Sequence, residues 1–257
     1  MNKVIETMMN HRTRRSFVKG NELPKEHLDQ IIECSKQASS WMNGQHYSII
    51  ATTGETKQKI ADLIREQAPG NAAHIESSAA FLIYCLDYSN IKLSFDIEGG
   101  EFDISNQYEP LLIGSMDVGI AMQNAALAAE SLGYGIVFCG GVRGFAKGIS
   151  ELLNIPENAL FLCGLSIGVI DEEKSTEKVK PRLPHEANVG YNEFPKSNEE
   201  VLKAYRQTMI DFAEARETKT WTKKFADFYA KPSGIEAVTK ELLEKIKFLY
   251  TKNYNIK

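Results

Sequence analysis

The alternation of apolar and polar positions predicts helices and strands that interleave irregularly along the chain. Near the N-terminus Val4, Ile5, Met8 and Met9 recur at helical spacing, and a basic run follows at residues 11–15. Pro24 suits the first turn of a second helix, with Leu28, Ile31, Ile32 and Ser35 on one face and an end near residues 38–40. Residues 46–52 (HYSIIAT) read as a strand, and 55–66 as a helix with Ile60, Leu63 and Ile64 inward. The unbroken apolar run AAFLIYCL at 79–86 predicts a buried strand. Residues 87–110 read as an acidic connection, with six acids against Lys92. A helix over 111–132, a strand at 135–139, a Gly140-Gly141 turn, a helix at 143–153 and a strand at 160–170 complete the alternation. An extended piece then leads to two amphipathic helices around 198–215 and 235–250. This order predicts an α+β fold whose central sheet, mixed or mostly antiparallel, is surrounded by helices.

The 111–132 segment is long enough to cross a bilayer, yet Asp117, Gln123, Asn124 and Glu130 interrupt it. Polar groups at such depth are costly in lipid. Its many Ala and Gly residues instead predict a core helix that other backbones approach closely. At 257 residues and 43% hydrophobic content the chain can bury an ordinary core. The net charge of −4 weighs against a general nucleic-acid binder. Cys34, Cys85, Cys139 and Cys163 form no CxxC pair, and the N-terminus lacks the basic-then-apolar order of a signal peptide. These features predict a soluble, cytoplasmic protein with neither a nucleic-acid nor a membrane partner.

Candidate chemistry lies in three short segments. In LGYGIVFCGGVRG, Gly133 and Gly135 come after a helix and before a strand, the reverse of a dinucleotide fingerprint, and no P-loop occurs. Gly140-Gly141 either makes a plain turn or lets a flat ligand approach backbone N–H groups. HRTRRSF at 11–17 either places cations at a helix C-terminus or forms an anion site. Lys180 and Arg182, spaced by Pro181, belong either to an exposed basic linker or to a phosphate clamp. The five histidines show no HExxH, so no metal site is expected. Without a GxSxG elbow, and with Cys139 fitting a small core residue at a strand end, no nucleophile stands out. Ligand-binding groups without an acid, base or nucleophile point to a cofactor that performs the reaction.

Taken together, HRTRRSF, ASS at 38–40, MDVGIAMQNAALAAESLGYG at 116–135, CGGVR at 139–143 and KPRLP at 180–184 resemble the FMN-dependent nitroreductase family, in its oxygen-insensitive NADPH nitroreductase and flavin reductase P branch. The resemblance covers residues 1–190 in matching order and fades across the C-terminal helices. It implies a nitroreductase-like fold in which residues 1–257 form a single FMN-binding domain. It also implies a homodimer, with the extension at 190–257 embracing the partner and carrying a nucleotide loop. NADPH or NADH would reduce FMN, and nitroaromatics, quinones or flavins would take the electrons in a ping-pong cycle. By motif matching, His11, Arg12, Thr13, Arg15, Ser40, Phe138, Cys139, Gly140 and Gly141 would line FMN. Lys180 and Arg182 would sit on its phosphate, and Arg216 would contact NAD(P)H. The resemblance departs at Ala72, where the family carries a Gln and where Asn71 and His74 lie nearby, and at Trp41-Met42-Asn43, which replaces a serine-rich run. Two alternatives remain: a reductase that uses free FMN as its substrate, and a non-catalytic flavin-binding module.

Overall fold

A computed structural model describes residues 2–104, 107–175, 178–214, 219–230 and 234–245. The chain forms two compact units, one from Met1–Thr176 with Ile235–Lys257 and the other from Glu177–Gly234.

The first unit is built on four strands, β1 (Tyr47–Thr52), β2 (Ala80–Asp87), β3 (Gly135–Cys139) and β4 (Ala159–Gly168), in the order β1-β2-β4-β3. Every pairing is antiparallel, with Ile49 opposite Tyr84, Tyr84 opposite Cys163 and Phe138 opposite Leu165. The expected strands are all present within a residue or two of their limits. β2 is an inner strand buried from Ala80 to Leu86, which is why its sequence is a continuous apolar run rather than an alternating one.

Helix α6 (Glu109–Ser131) touches all four strands, and α2 (Lys25–Lys36) packs against it. Ala121, Ala125, Ala126 and Ala129 are fully buried. The small side chains let Ser35 Oγ donate to the Ala121 carbonyl at 2.8 Å. At Gly114 a Cβ would lie 2.8 Å from Leu86 Cδ1, so that helix turn approaches β2 only as glycine. The long apolar segment is therefore a core helix on one face. On its other face Leu112, Met116 and Ile120 are exposed in a stripe.

Several elements depart from the pattern expected of the sequence. In α3 (Gly54–Ile64) the inward face is Ile60, Ala61 and Ile64, while Leu63 is exposed, because Ala61 takes the third inward position at helical spacing. Helix α4 (Pro69–Ser77) follows, a short and scarcely amphipathic helix that hydrophobic periodicity does not reveal. The buried ammonium of Lys57 donates to the carbonyls of Ile75 (3.0 Å) and Glu76 (2.7 Å), satisfying acceptors at the C-terminal end of α4. The acidic connection contains a further helix, α5 (Ser89–Glu98). A 3-10 turn over Gly140–Phe145 delays the next helix, α7, to Ala146–Leu153. The remaining helices of this unit are α1 (Lys3–Met9) and α11 (Gly234–Lys245).

The second unit contains α8 (His185–Asn188), α9 (Glu199–Ala213) and α10 (Trp221–Tyr229). The Tyr205 ring meets Trp221 edge-on, with centroids 5.3 Å apart, so an aromatic contact joins α9 to α10.

Candidate functional site

After α1 the chain runs extended alongside β3. Arg14 N–H donates to the Ile136 carbonyl at 2.8 Å, and Thr13 forms a parallel bridge with Ile136. The alternation of an extended backbone divides the basic run between two sides. Arg12 and Arg14 line a cavity of about 340 Å3 with Lys3, Glu6, Glu130 and Tyr134, while Thr13 and Arg15 are exposed and do not line it. His11 Nδ1 lies 2.7 Å from Glu130 Oε1, so the last turn of α6 orients its imidazole. In the sequence Glu130 is one of several polar interruptions of this helix; its signal is a carboxylate in the last turn, where a helix end disfavours negative charge unless it is paired.

β3 ends at Cys139 and the chain turns through Gly140 and Gly141, anchored by the buried Val142. The φ of Gly140 is not left-handed, and a Cβ there would meet nothing within 4 Å. Neither the backbone nor the packing therefore requires glycine at this position, and the space in front of it is open. Facing Gly141 is Asn71, whose Nδ2 lies 3.4 Å from where a Cβ would stand. Ala72, at the expected Gln position, is buried in the core, and the neighbouring residue supplies the polar group instead.

Behind Asn71 lies a buried polar chain. Asn71 Oδ1 is 3.2 Å from His74 Nε2, and His74 Nδ1 is 3.1 Å from Ser166 Oγ. Burial, with a smaller contribution from the positive charge of Arg15, lowers the pKa of His74 to about 4 and keeps it neutral near pH 7. The Arg15 charge is also felt at Cys139, at the end of β3. Burial pushes the Cys139 thiol up to about 12, so it is a core residue and no nucleophile.

Ser40 stands elsewhere. Its Oγ accepts from Gln45 N–H at 3.2 Å, closing a loop in which Met42, Asn43 and Gln45 all have left-handed φ (50°, 57° and 49°). The buried carboxylate of Asp117 holds that loop, accepting from Trp41 N–H (3.0 Å), His46 N–H (3.3 Å) and His46 Nδ1 (2.8 Å). Asp117 and Glu130 are thirteen residues apart on α6, which at about 1.5 Å per residue separates the Ser40 loop from His11 by about 20 Å. One chain thus gathers Arg15, Asn71 and the 138–141 turn, but does not bring Ser40 to His11. Lys180 and Arg182 lie in the second unit, both exposed, with Arg182 Nη1 donating to the Lys180 carbonyl at 2.6 Å. Arg216 lies outside the described residues. Among the described residues no cluster of three His, Cys, Asp or Glu could hold a metal ion.

Comparison with known proteins agrees with this architecture. The chain is 35% identical over 238 residues to the FMN reductase [NAD(P)H] of Bacillus subtilis, covering 89% of this chain and 92% of that protein. It is equally 35% identical over 230 residues to the NADPH-flavin oxidoreductase of Vibrio harveyi, covering 87% of this chain and 90% of that one. Among solved structures, nitroreductase A from Vibrio parahaemolyticus superposes with a TM-score of 0.82 at 34% identity, covering 95% of this chain and 98% of that chain. The Vibrio harveyi NADPH:FMN oxidoreductase complexed with NAD+ gives 0.81 at 33% identity, again over 95% and 98% of the two chains. Residues 8–169 match the nitroreductase family and residues 180–251 its C-terminal domain, so the chain belongs to the nitroreductase family.

Proposed function

We propose that this protein is an FMN-containing, NAD(P)H-dependent oxidoreductase that reduces nitroaromatics, quinones or flavins. The observation that carries the reading is the donor-rich site at the end of β3. There the Arg15 charge is felt at His74 and Cys139, and the Asn71 amide faces Gly141 in a glycine turn with open space in front of Gly140. The chemistry supplied by FMN bound there is two-electron exchange, from NADPH or NADH in one half-reaction and to the acceptor in the other.

The chain's own groups bind and orient. Arg15 would supply positive charge to the bound flavin, which favours the negative charge that reduction adds. Phe138, Cys139, Gly140 and Gly141 would form the turn that holds the ring, with backbone N–H groups of the turn as candidate donors. Thr13, on the same side of the extended segment as Arg15, and His11, held by Glu130, would fix the remainder of the cofactor, whereas Arg12 lines the cavity on the other side and would have to turn to join them. Lys180 and Arg182 are assigned its phosphate, and Arg216 the nucleotide. Ser40, about 20 Å from His11 within one chain, reaches a flavin only from a second copy of the chain. A homodimer joined through the exposed Leu112, Met116 and Ile120 stripe of α6 supplies that copy. The enzyme is soluble, and we assign it to the cytoplasm.

The test is direct. The purified protein is expected to be yellow, dimeric and bleached anaerobically by NADPH or NADH. A colourless protein that takes up no FMN overturns the reading. The Bacillus subtilis and Vibrio harveyi relatives, named for flavin reduction, favour a second reading in which free FMN is the substrate. Rapid exchange of bound for free FMN during turnover distinguishes it from a resident prosthetic group. Bound FMN that neither nucleotide reduces would instead indicate a non-catalytic flavin module.

A further inference from the structure

The buried chain behind Asn71 has a direction that its partners determine. Ser166 is fully buried, and its hydroxyl proton has two acceptors within reach, His74 Nδ1 at 3.1 Å and Cys139 Sγ at 3.6 Å. A thiol sulfur is the weaker acceptor, and the Cys139 S–H is itself directed to the Val137 carbonyl at 3.2 Å. The Ser166 proton therefore goes to Nδ1. A neutral imidazole that accepts at Nδ1 carries its hydrogen on Nε2, and that hydrogen is donated to Asn71 Oδ1 at 3.2 Å. With its carbonyl engaged, Asn71 turns its NH2 group to the Gly141 face, where Nδ2 stands 3.4 Å from the position of a Cβ.

We propose that His74 is a positioning residue for flavin binding, acting through Asn71. The Ser166–His74–Asn71 chain fixes the amide so that the flavin meets a donor beside Arg15 and the 140–141 turn, and not a carbonyl oxygen. The proposal rests on the FMN reading above and adds residues that touch no cofactor themselves. Two further groups bear on the imidazole: the charge of Arg15, which offers no acceptor, and Cys139 Sγ, 3.9 Å from Nδ1 and a weaker acceptor there than the Ser166 hydroxyl. With Arg15 near, a second hydrogen on the ring is disfavoured, so the direction of the chain is preserved.

The experiment has two arms. In the first, 15N NMR of the protein at pH 7, before and after addition of FMN, reads the His74 tautomer. A neutral ring with hydrogen on Nε2 is expected; hydrogen on Nδ1 overturns the proposal whether or not FMN binds. In the second, FMN is titrated into wild type, Asn71→Asp, His74→Leu and the double variant, with Kd and the flavin midpoint potential as readouts. Asn71→Asp keeps an acceptor for His74 and removes the donor, so its Kd is expected to rise about tenfold, with a lower potential. His74→Leu is expected to weaken FMN to a similar extent in wild type and by nothing further in the Asn71→Asp background. An equal loss in both backgrounds, or no loss in either, overturns the proposal. Should the leucine variant fail to fold, Ser166→Ala removes the hydroxyl that sets the tautomer, and an unchanged Kd there counts equally against it. A wild-type protein that binds no FMN defeats the functional reading, while the tautomer still decides the direction of the chain.

Discussion

Asp117 offers a demanding test of how this fold presents its loop. Replacing it with alanine removes the acceptor for Trp41 N–H, His46 N–H and His46 Nδ1 together. Trp41 is 54% exposed, so water replaces the partner of its N–H, whereas His46 is 7% exposed and its two donors stay dry. A hydrogen bond to a charged group contributes about 1.5–3 kcal/mol, and deleting one partner of a buried pair costs about 3–5 kcal/mol. Against this, each of the left-handed conformations of Met42, Asn43 and Gln45 costs about 1–3 kcal/mol, and with the remaining loop contacts intact relief at one of them returns on the order of 1 kcal/mol. The net expectation for Asp117→Ala is a loss of about 3 kcal/mol, read as a lower midpoint in urea unfolding at unchanged slope. Asp117→Asn, which retains one carbonyl acceptor, is expected to lose about half as much. A loss below about 1 kcal/mol for the alanine variant would refute the assignment of Asp117 as the clamp on this loop. Because the same loop carries Ser40, which is assigned to the flavin, FMN binding is expected to weaken in the variant, read as a higher Kd in a fluorescence titration.

Other expectations are equally concrete. Arg15→Ala is expected to weaken FMN binding about tenfold or more in a fluorescence titration, since it removes a charge-assisted donor. His74 has a folded pKa of about 4 against about 6.5 unfolded, so the unfolded chain binds the extra proton between those values. Its contribution to stability, about 3 kcal/mol, is therefore complete above pH about 6.5 and lost as pH falls towards about 4. Urea midpoints measured across that range check the sign, and a flat profile would count against a buried neutral histidine. At Gly164 a Cβ would lie 2.2 Å from Phe81 Cζ, so Gly164→Ala is expected to cost about 1–3 kcal/mol in thermal or urea unfolding. Alkylation of the native protein followed by mass spectrometry is expected to label the exposed Cys34 first and to spare the buried Cys85 and Cys139.

The positions of the four strands and of α6 were legible because each depends on a local property. A continuous apolar run signals an inner strand, and a small-residue apolar stretch signals a close-packed helix. The order of the basic and glycine motifs pointed to the family for the same reason, since short linear patterns survive without knowledge of the fold. Helices α4 and α5 escaped because they carry little periodic signal and their formation depends on what they pack against, whereas α10 has a legible apolar face in Trp221, Phe225 and Phe228. The tertiary structure alone decided which polar groups meet: Asp117 with His46 across 71 positions, Glu130 with His11 across 119, and Ser166 with His74 across 92. It also decided that Ser40 and His11 stand at separate stations along α6, although both belong to the same set of sequence motifs. Periodicity reports how a segment meets the core, a matter of a few neighbouring residues. The pairing of buried donors and acceptors is settled only when distant segments leave water together, because only then must each polar group find its partner within the protein.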